Sequence, residues 1–404
     1  MELSISNKSF DVNISLPFSK SESNRLLILQ ALSKGEFIIE NLSDANDTKI
    51  LSRALASKLL TVDVEDAGTA ARFFVAYACI VNNHIIITGS RRMQERPIEP
   101  LVNALKQLGF RIQYLRQNGF LPIEILPVNM ANVGDEIAIT GKISSQFITA
   151  LMLVGWKLPN GLTITIIDEY TSHAYILLTQ NLMQKCGIEV SIDGNKIRIP
   201  AQQISAASVA VTADWTNAGY WYSFVALSDN GRIKIEGLDI ESFQGDKAIV
   251  EITSNLGVKT TAENGSIVLT KTDFDTSQPL HFDFNDNPDL AQTIIVLCAA
   301  KNIAASFSGL HTLKLKETDR IIALRNELQK FNVEFIEESP DLYKLKGQFK
   351  FEEPVQIETY NDHRMAMAFA PLALINKIII EDIKVVNKSY PKFWEEVEKL
   401  KKGF

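Results

Sequence analysis

Two rhythms of apolar residues alternate along this chain. Segments 26–32, 73–81, 147–156 and 293–300 are apolar almost throughout, as helices buried on most sides are. Between such runs lie short stretches that alternate apolar and polar residues, the mark of half-buried strands. The junctions repeat. Leu105-Lys106-Gln107-Leu108-Gly109 ends an amphipathic helix, Phe110-Arg111-Ile112-Gln113-Tyr114 starts a strand, and Asn118-Gly119 turns it into a hairpin. The same order recurs around Gly187 with a turn at Asp193-Gly194, and around Gly257 with a turn at Asn264-Gly265. It appears again around Asn332 with a turn near Ser339-Pro340-Asp341. Gly and Asn tolerate the left-handed conformation that stops a helix, and Asn-Gly and Asp-Gly suit tight hairpin turns. Copies separated by roughly 70–80 residues predict an α/β protein built from internal repeats.

A chain of 404 residues is long enough for two domains. Its last predicted helix stops at Gly403-Phe404 with no hairpin behind it. A hairpin-like segment opens the chain instead, residues 2–6 and 10–16 about a turn at Asn7-Lys8, and is expected to complete the last repeat. One domain would then be discontinuous, residues 1–19 with 230–404, and the other continuous, residues 20–229. The second crossover is placed at the polar turn Ser228-Asp229-Asn230-Gly231. The first repeat is short, with room for a helix and little else between Thr48 and Asp66.

Composition narrows the class. Hydrophobic residues make up 46%, ample for packed cores, and the net charge of −7 disfavours nonspecific nucleic-acid binding. The opening residues lack the basic and apolar regions of a signal peptide, and no apolar run approaches the ~20 residues of a membrane helix. The three cysteines are scattered, Cys79 and Cys298 in apolar helices and Cys186 at a helix end, which predicts buried thiols in a reducing compartment. A cytoplasmic monomer without membrane partners is expected.

The chemistry lies at the helix starts. Ser19-Lys20-Ser21-Glu22-Ser23-Asn24-Arg25 precedes the run 26–32, placing cations and hydroxyls where unpaired N–H groups favour an anion. Asp66-Ala67-Gly68-Thr69-Ala70-Ala71-Arg72 opens the next helix, and Gly68 would let a ligand approach the backbone. A basic loop, Arg91 to Arg96, offers bidentate grips on carboxylate or phosphate. Ser144-Ser145-Gln146, Pro288-Asp289, Lys316-Glu317-Thr318-Asp319-Arg320, Asp362-His363-Arg364 and Lys388 follow at later helix starts. Each alone also has a plain reading as a helix cap or a solvated charge run. Gathered in one cleft, they would focus positive potential for small polyanions, with Asp289 and Glu317 available for proton transfer.

Taken together and in this order, the motifs resemble those of the enolpyruvyl transferases of the EPSP synthase type. The most specific are the 19–25 segment, 315–320 (LKETDR) and 360–367 (YNDHRMAM), supported by Ser144-Ser145-Gln146 and Asp246 in Gln244-Gly245-Asp246. The resemblance implies two similar α/β domains, each of repeated βαβαββ units, closing on the substrates, here with a shortened first repeat. It implies attack of the 5-hydroxyl of shikimate 3-phosphate on C2 of phosphoenolpyruvate, with loss of phosphate, on the route to chorismate and the aromatic amino acids. Carried over residue by residue, Lys20, Gly68, Arg96, Arg320, Arg364 and Lys388 would serve phosphoenolpyruvate. Ser21, Arg25, Ser144, Ser145, Gln146, Ser172, Tyr175 and Lys316 would serve shikimate 3-phosphate. Asp289 would accept the hydroxyl proton and Glu317 would protonate the methylene carbon, with Lys20 also in the catalytic set. No metal or organic cofactor is implied.

Departures fall at particular positions. Glu65-Asp66 stands where Gly-Asn is usual, and its charge is expected to weaken anion binding unless it turns away or pairs with Arg72. Thr312 replaces a common Asn, and Asp214-Trp215-Thr216-Asn217 replaces Asp-Ala-Ser-Ser. These raise an alternative: a weak or silent relative that binds phosphorylated metabolites. A transferase acting on UDP-N-acetylglucosamine is disfavoured because its reactive loop cysteine has no counterpart, and an RNA-end-processing enzyme because no basic stripe is present.

Overall fold

The computed structural model describes residues 1–142, 144–168, 172–204, 206–263, 265–274, 278–351 and 353–402. The expected turn residue Asn264 and the helix stop Gly403-Phe404 lie outside them. The chain divides into two compact units, Met1–Pro17 with Thr212–Phe404, and Phe18–Val211. No described helix is long and apolar enough to cross a membrane.

The repeat is one topological unit. In the continuous unit, strands Thr61–Asp63 and Ile85–Thr88 run parallel, with the helix Gly68–Val81 between them in the chain. The hairpin Arg111–Tyr114 and Ile123–Leu126 then folds back so that its second strand pairs antiparallel with Ile85–Ile87. Strands Glu136–Thr140, Leu162–Ile167, Lys196–Ile199 and Ser191–Asp193 repeat this order, as do Ser9–Ile14, Asn230–Glu236, Ser266–Lys271 and Val258–Glu263 in the discontinuous unit. The order recurs in Leu280–Asp283, Ala305–Ser308, Leu342–Gly347 and Val333–Ser339. Gly109, Gly187, Gly257 and Asn332 all take positive φ at the helix stops. This is the geometry their sequence positions demand.

The first repeat is short in a specific way. Glu36–Glu40 pairs in parallel with Ala206–Ala210 and the sheet ends there among the described residues, with two strands where four of its counterparts have four and one has three. The helix Asn46–Ala56 runs directly into Thr61–Asp63, the first strand of the next sheet, so the hairpin is the missing piece. Ile38, Leu59 and Leu60 are exposed in this region.

Two expectations are corrected. Residues 2–6 and 10–16 form no hairpin. Glu2–Leu3 pairs antiparallel with Ile378–Ile379 of the last repeat, as anticipated, but Ser9–Ile14 runs parallel to Asn230–Ile235 in another sheet. The Lys8 carbonyl accepts from the Asp229 amide at 3.0 Å, and Phe10 packs against Gly231, where a Cβ would meet its ring at 2.8 Å. The second crossover also falls earlier, between Val211 and Thr212 rather than near Ser228–Gly231. The helix Trp215–Leu227 decides this: Trp215, Tyr220, Trp221 and Phe224 are fully buried in the core of the discontinuous unit.

Candidate active site

Each unit carries a polar cluster at its helix starts. In the continuous unit the helix Lys20–Leu32 begins with Lys20, whose Nζ lies 3.3 Å from Asp47 Oδ2. Arg25, one turn on, is buried. Its Nε donates to Thr179 Oγ1 at 2.8 Å, Nη1 to the Ser21 carbonyl at 2.7 Å and Nη2 to the Tyr175 carbonyl at 3.3 Å. Its guanidinium lies over the rings of Phe73 and Tyr175. Burial lowers its pKa to about 10, with Tyr175 and Glu22 opposing, so the group stays charged at neutrality.

Gly68 opens the helix Gly68–Val81, and its carbonyl accepts from Arg72 Nη1 at 2.9 Å. A Cβ on Gly68 would meet Arg96 Nη1 at 2.5 Å and Arg72 Nη1 at 2.7 Å, so two guanidinium groups crowd the bare backbone. Ser144 caps the helix Ser145–Gly155 by accepting from the Gln146 amide at 3.2 Å, and Gln146 Nε2 donates to Thr69 Oγ1 at 3.3 Å. Ser145 is buried in the first turn. Ser172 precedes the helix His173–Lys185 with φ +60°, and Tyr175 follows in its first turn. Lys20, Arg25, Gly68 and Arg96 are thus tied to helix starts by hydrogen bonds or close contacts. Asp47, which the sequence reading passed over, balances Lys20.

The discontinuous unit is built around Arg320. This side chain is 1% exposed and grips three carboxylates: Asp362 through Nε at 2.7 Å, Glu317 through Nη2 at 2.9 Å and Asp289 through Nη1 at 3.2 Å. Burial works against its charge, and Asp362 and Glu317 more than compensate, so its pKa is raised. Asp289 also meets Arg364 Nη2 through Oδ2 at 2.7 Å and Lys316 Nζ through Oδ1 at 3.9 Å. Arg364 Nη1 donates to the Tyr220 hydroxyl at 3.3 Å, and burial pushes that phenol up to about 12. Asp362 caps the helix His363–Phe369 by accepting from the Arg364 amide at 2.9 Å, so one carboxylate both starts a helix and holds Arg320. Lys388 is buried at the end of the turn Ile383–Lys388.

Asp246 completes this cluster. It is buried, accepts a hydrogen bond from the Thr216 hydroxyl through Oδ2, and its Oδ1 has no hydrogen-bond partner among the described residues. Burial first and the Asp289 charge second raise its pKa from 3.8 to about 7. Asp214 caps the helix Trp215–Leu227 through the Asn217 amide at 2.9 Å. Of the departures, Glu65 pairs with Arg53 at 2.8 Å, not with Arg72, which donates to the Pro97 carbonyl instead. The buried Thr312 Oγ1 has no partner among the described residues. The three cysteines are buried, and burial pushes their thiols upward.

Four complete copies of one βαβαββ pattern and two shorter ones among the described residues, with charged clusters at helix starts, define an enolpyruvyl transferase fold. Two solved structures share it over 99% of this chain. They are the EPSP synthase from Acinetobacter baumannii (TM-score 0.77, 20% identity, 98% of that chain) and the enolpyruvyl transferase NikO from Streptomyces tendae (0.74, 12%, 96%). Residues 51–397 match the EPSP synthase (3-phosphoshikimate 1-carboxyvinyltransferase) family. A 3-phosphoshikimate 1-carboxyvinyltransferase of Bacteroides fragilis is 42% identical over 96% of this chain and 94% of its own length, and one of Histophilus somni is 32% identical over 97% of each. The chain belongs to the EPSP synthase family.

Proposed function

We propose that this protein transfers the enolpyruvyl group of phosphoenolpyruvate to the 5-hydroxyl of shikimate 3-phosphate, releasing phosphate. The observation that carries this reading is the pair Asp289 and Glu317 held on one guanidinium, Arg320, with Arg364 and Lys316 beside Asp289. Addition–elimination needs one base for the hydroxyl and one acid for the methylene carbon, and cations where the anionic substrate sits.

In this reading Asp289 takes the hydroxyl proton as the oxygen bonds to C2, while Glu317 delivers a proton to the methylene carbon. The tetrahedral adduct then loses a methyl proton and phosphate, restoring the double bond. Arg320, Arg364, Lys388, Lys20 and Arg96 grip phosphoenolpyruvate, with Gly68 admitting it to the backbone. The substrate's carboxylate and phosphate compete with Asp289 and Glu317 for these guanidinium groups, which leaves both carboxylates more basic when they must act. Ser21, Arg25, Ser144, Ser145, Gln146, Ser172, Tyr175 and Lys316 hold shikimate 3-phosphate.

The test is phosphate release by the purified chain given phosphoenolpyruvate with and without shikimate 3-phosphate. Release that requires both is expected. Binding of shikimate 3-phosphate without any release would overturn the catalytic reading in favour of a silent relative.

A further inference from the structure

A second convergence of cations lies in the same unit, among residues that carry no role in the reaction. Lys271 ends the strand Ser266–Lys271 and Lys301 follows the helix Ala291–Ala300. Both ammonium groups donate to the Ala226 carbonyl in the last turn of the helix Trp215–Leu227, at 2.5 and 2.9 Å. The Phe274 ring lies below, 3.6 Å from Lys301 Nζ and 5.7 Å from Lys271 Nζ. No described carboxylate forms an ion pair with either. Two like charges therefore share one acceptor in a half-buried place, a tension most simply relieved by loss of a proton. Burial, then Lys271, bring the Lys301 pKa down to about 7. The neighbouring Cys298 thiol is buried and offers no competing nucleophile.

We propose that Lys301 is a nucleophilic amine and a site of acylation by small acyl phosphates, with the Lys271 ammonium anchoring the anionic donor. The Nζ lone pair attacks the acyl carbon and forms the N–C bond. The C–O bond to phosphate breaks, phosphate leaves with the electron pair, and the nitrogen gives its extra proton to water. The product is a neutral amide, which ends the repulsion between the two lysines. A partly desolvated amine beside a second cation is the arrangement that activates lysine nucleophiles.

The full chain is incubated with acetyl phosphate across a pH series and mapped by peptide mass spectrometry, with the exposed Lys58 as internal reference. At pH 7.5 Lys301 is expected to react at least ~10-fold faster than Lys58, because an ordinary lysine with a pKa near about 10.4 is almost wholly protonated there. The midpoint of its profile should lie near neutrality. Lys271→Met should raise that midpoint and should slow acetyl phosphate more than neutral acetic anhydride. Labelling of Lys301 no faster than Lys58 by either reagent overturns the proposal. Labelling by the anhydride but not by acetyl phosphate overturns the acyl-phosphate assignment. The unsubstituted protein decides both points, so a poorly folding variant leaves the test intact.

Discussion

The two units solve the problem of burying cations differently. Around Arg25 the hydrogen-bonding partners are carbonyl oxygens and one threonine hydroxyl, with two ring faces alongside. Around Arg320 and Arg364 the partners are carboxylates: Asp362, Glu317 and Asp289. Neutral partners leave the net positive charge of the first arrangement intact, which suits the capture of anions. Carboxylate partners cancel charge but supply groups that can move protons. In the proposed reading Arg25 is thus suited to holding an anion and the Arg320 cluster to chemistry, and the difference lies in which residue type faces the guanidinium.

The sharpest way to break that comparison is to remove the proposed proton-transfer groups while keeping their shape. Asp289→Asn and Glu317→Gln should each lower kcat by at least ~10²-fold, the scale of a general acid or base. Steady-state turnover measures it, and wild-type rates in either variant would remove that residue from the chemistry. Arg320→Gln tests the structural half of the contrast. It strands the fully buried Asp362 with two further carboxylates, and breaking such an arrangement costs about 3–5 kcal/mol. Arg25→Gln strands no carboxylate and should cost less, about 1–3 kcal/mol for lost buried hydrogen bonds. Urea midpoints of the two variants check the ranking; equal losses would dissolve the distinction between the units.

Asp246 adds a pH signature to the chemical unit alone. Its folded pKa of about 7 stands above the ordinary 3.8. From about pH 4 to 7 the unfolded chain ionises this group while the folded chain keeps the proton, so its contribution to stability falls as pH rises, and is constant above. Asp246→Asn removes the penalty and can still accept from Thr216. The stability of the variant relative to wild type should therefore rise by a few kcal/mol between pH 4.5 and 7.5. A difference in melting temperature that does not change with pH would show that Asp246 ionises normally.

Gly68 gives the matching probe of the anion-holding role proposed for the continuous unit. In Gly68→Ala the methyl group meets Arg96 Nη1 and Arg72 Nη1 well inside contact distance. Both are the far ends of flexible chains, so stability should change little while the guanidinium groups are displaced. The KM for phosphoenolpyruvate should rise about tenfold, equivalent to about 1.4 kcal/mol, with kcat affected less.

Local signals in the sequence carried much of the fold. Gly109, Gly187, Gly257 and Asn332 mark helix stops because Gly and Asn adopt positive φ with the least strain, and the hairpins follow from strand alternation. The pairing of Ser9–Ile14 with Asn230–Ile235 was not legible, because nothing in a six-residue strand encodes a partner more than 200 residues away. The unit boundary was misplaced for a related reason: a helix as uniformly apolar as Trp215–Leu227 would suit either core. At the site, the polar and cationic clusters at the helix starts were legible in the sequence. Asp47 and Asp362 were not assigned roles, because a buried acid that holds a cation looks in sequence like an ordinary cap.

Glu65 gives the smallest predicted effect and the finest test of the holding unit. Two acids in place of a neutral pair ahead of Gly68 should repel an anion, yet the Glu65 carboxylate faces Arg53 at 2.8 Å. Arg53 lies in the helix Asn46–Ala56 of the shortened repeat, which runs directly toward the next sheet. The departure at residue 65 and the shortened repeat are thus one local arrangement, with the helix supplying the countercharge. The pair is exposed and contributes about 0–1 kcal/mol. Glu65→Gln should therefore leave both stability and the KM for phosphoenolpyruvate within about twofold of wild type. Arg53→Ala exposes the bare carboxylate and should raise that KM modestly, more at low salt than at high, because a screened charge a few ångströms away acts only through solvent. If Glu65→Gln instead lowers the KM severalfold while Arg53→Ala changes nothing, the carboxylate acts on the anion despite its partner, and the holding unit is less purely cationic than its partners imply.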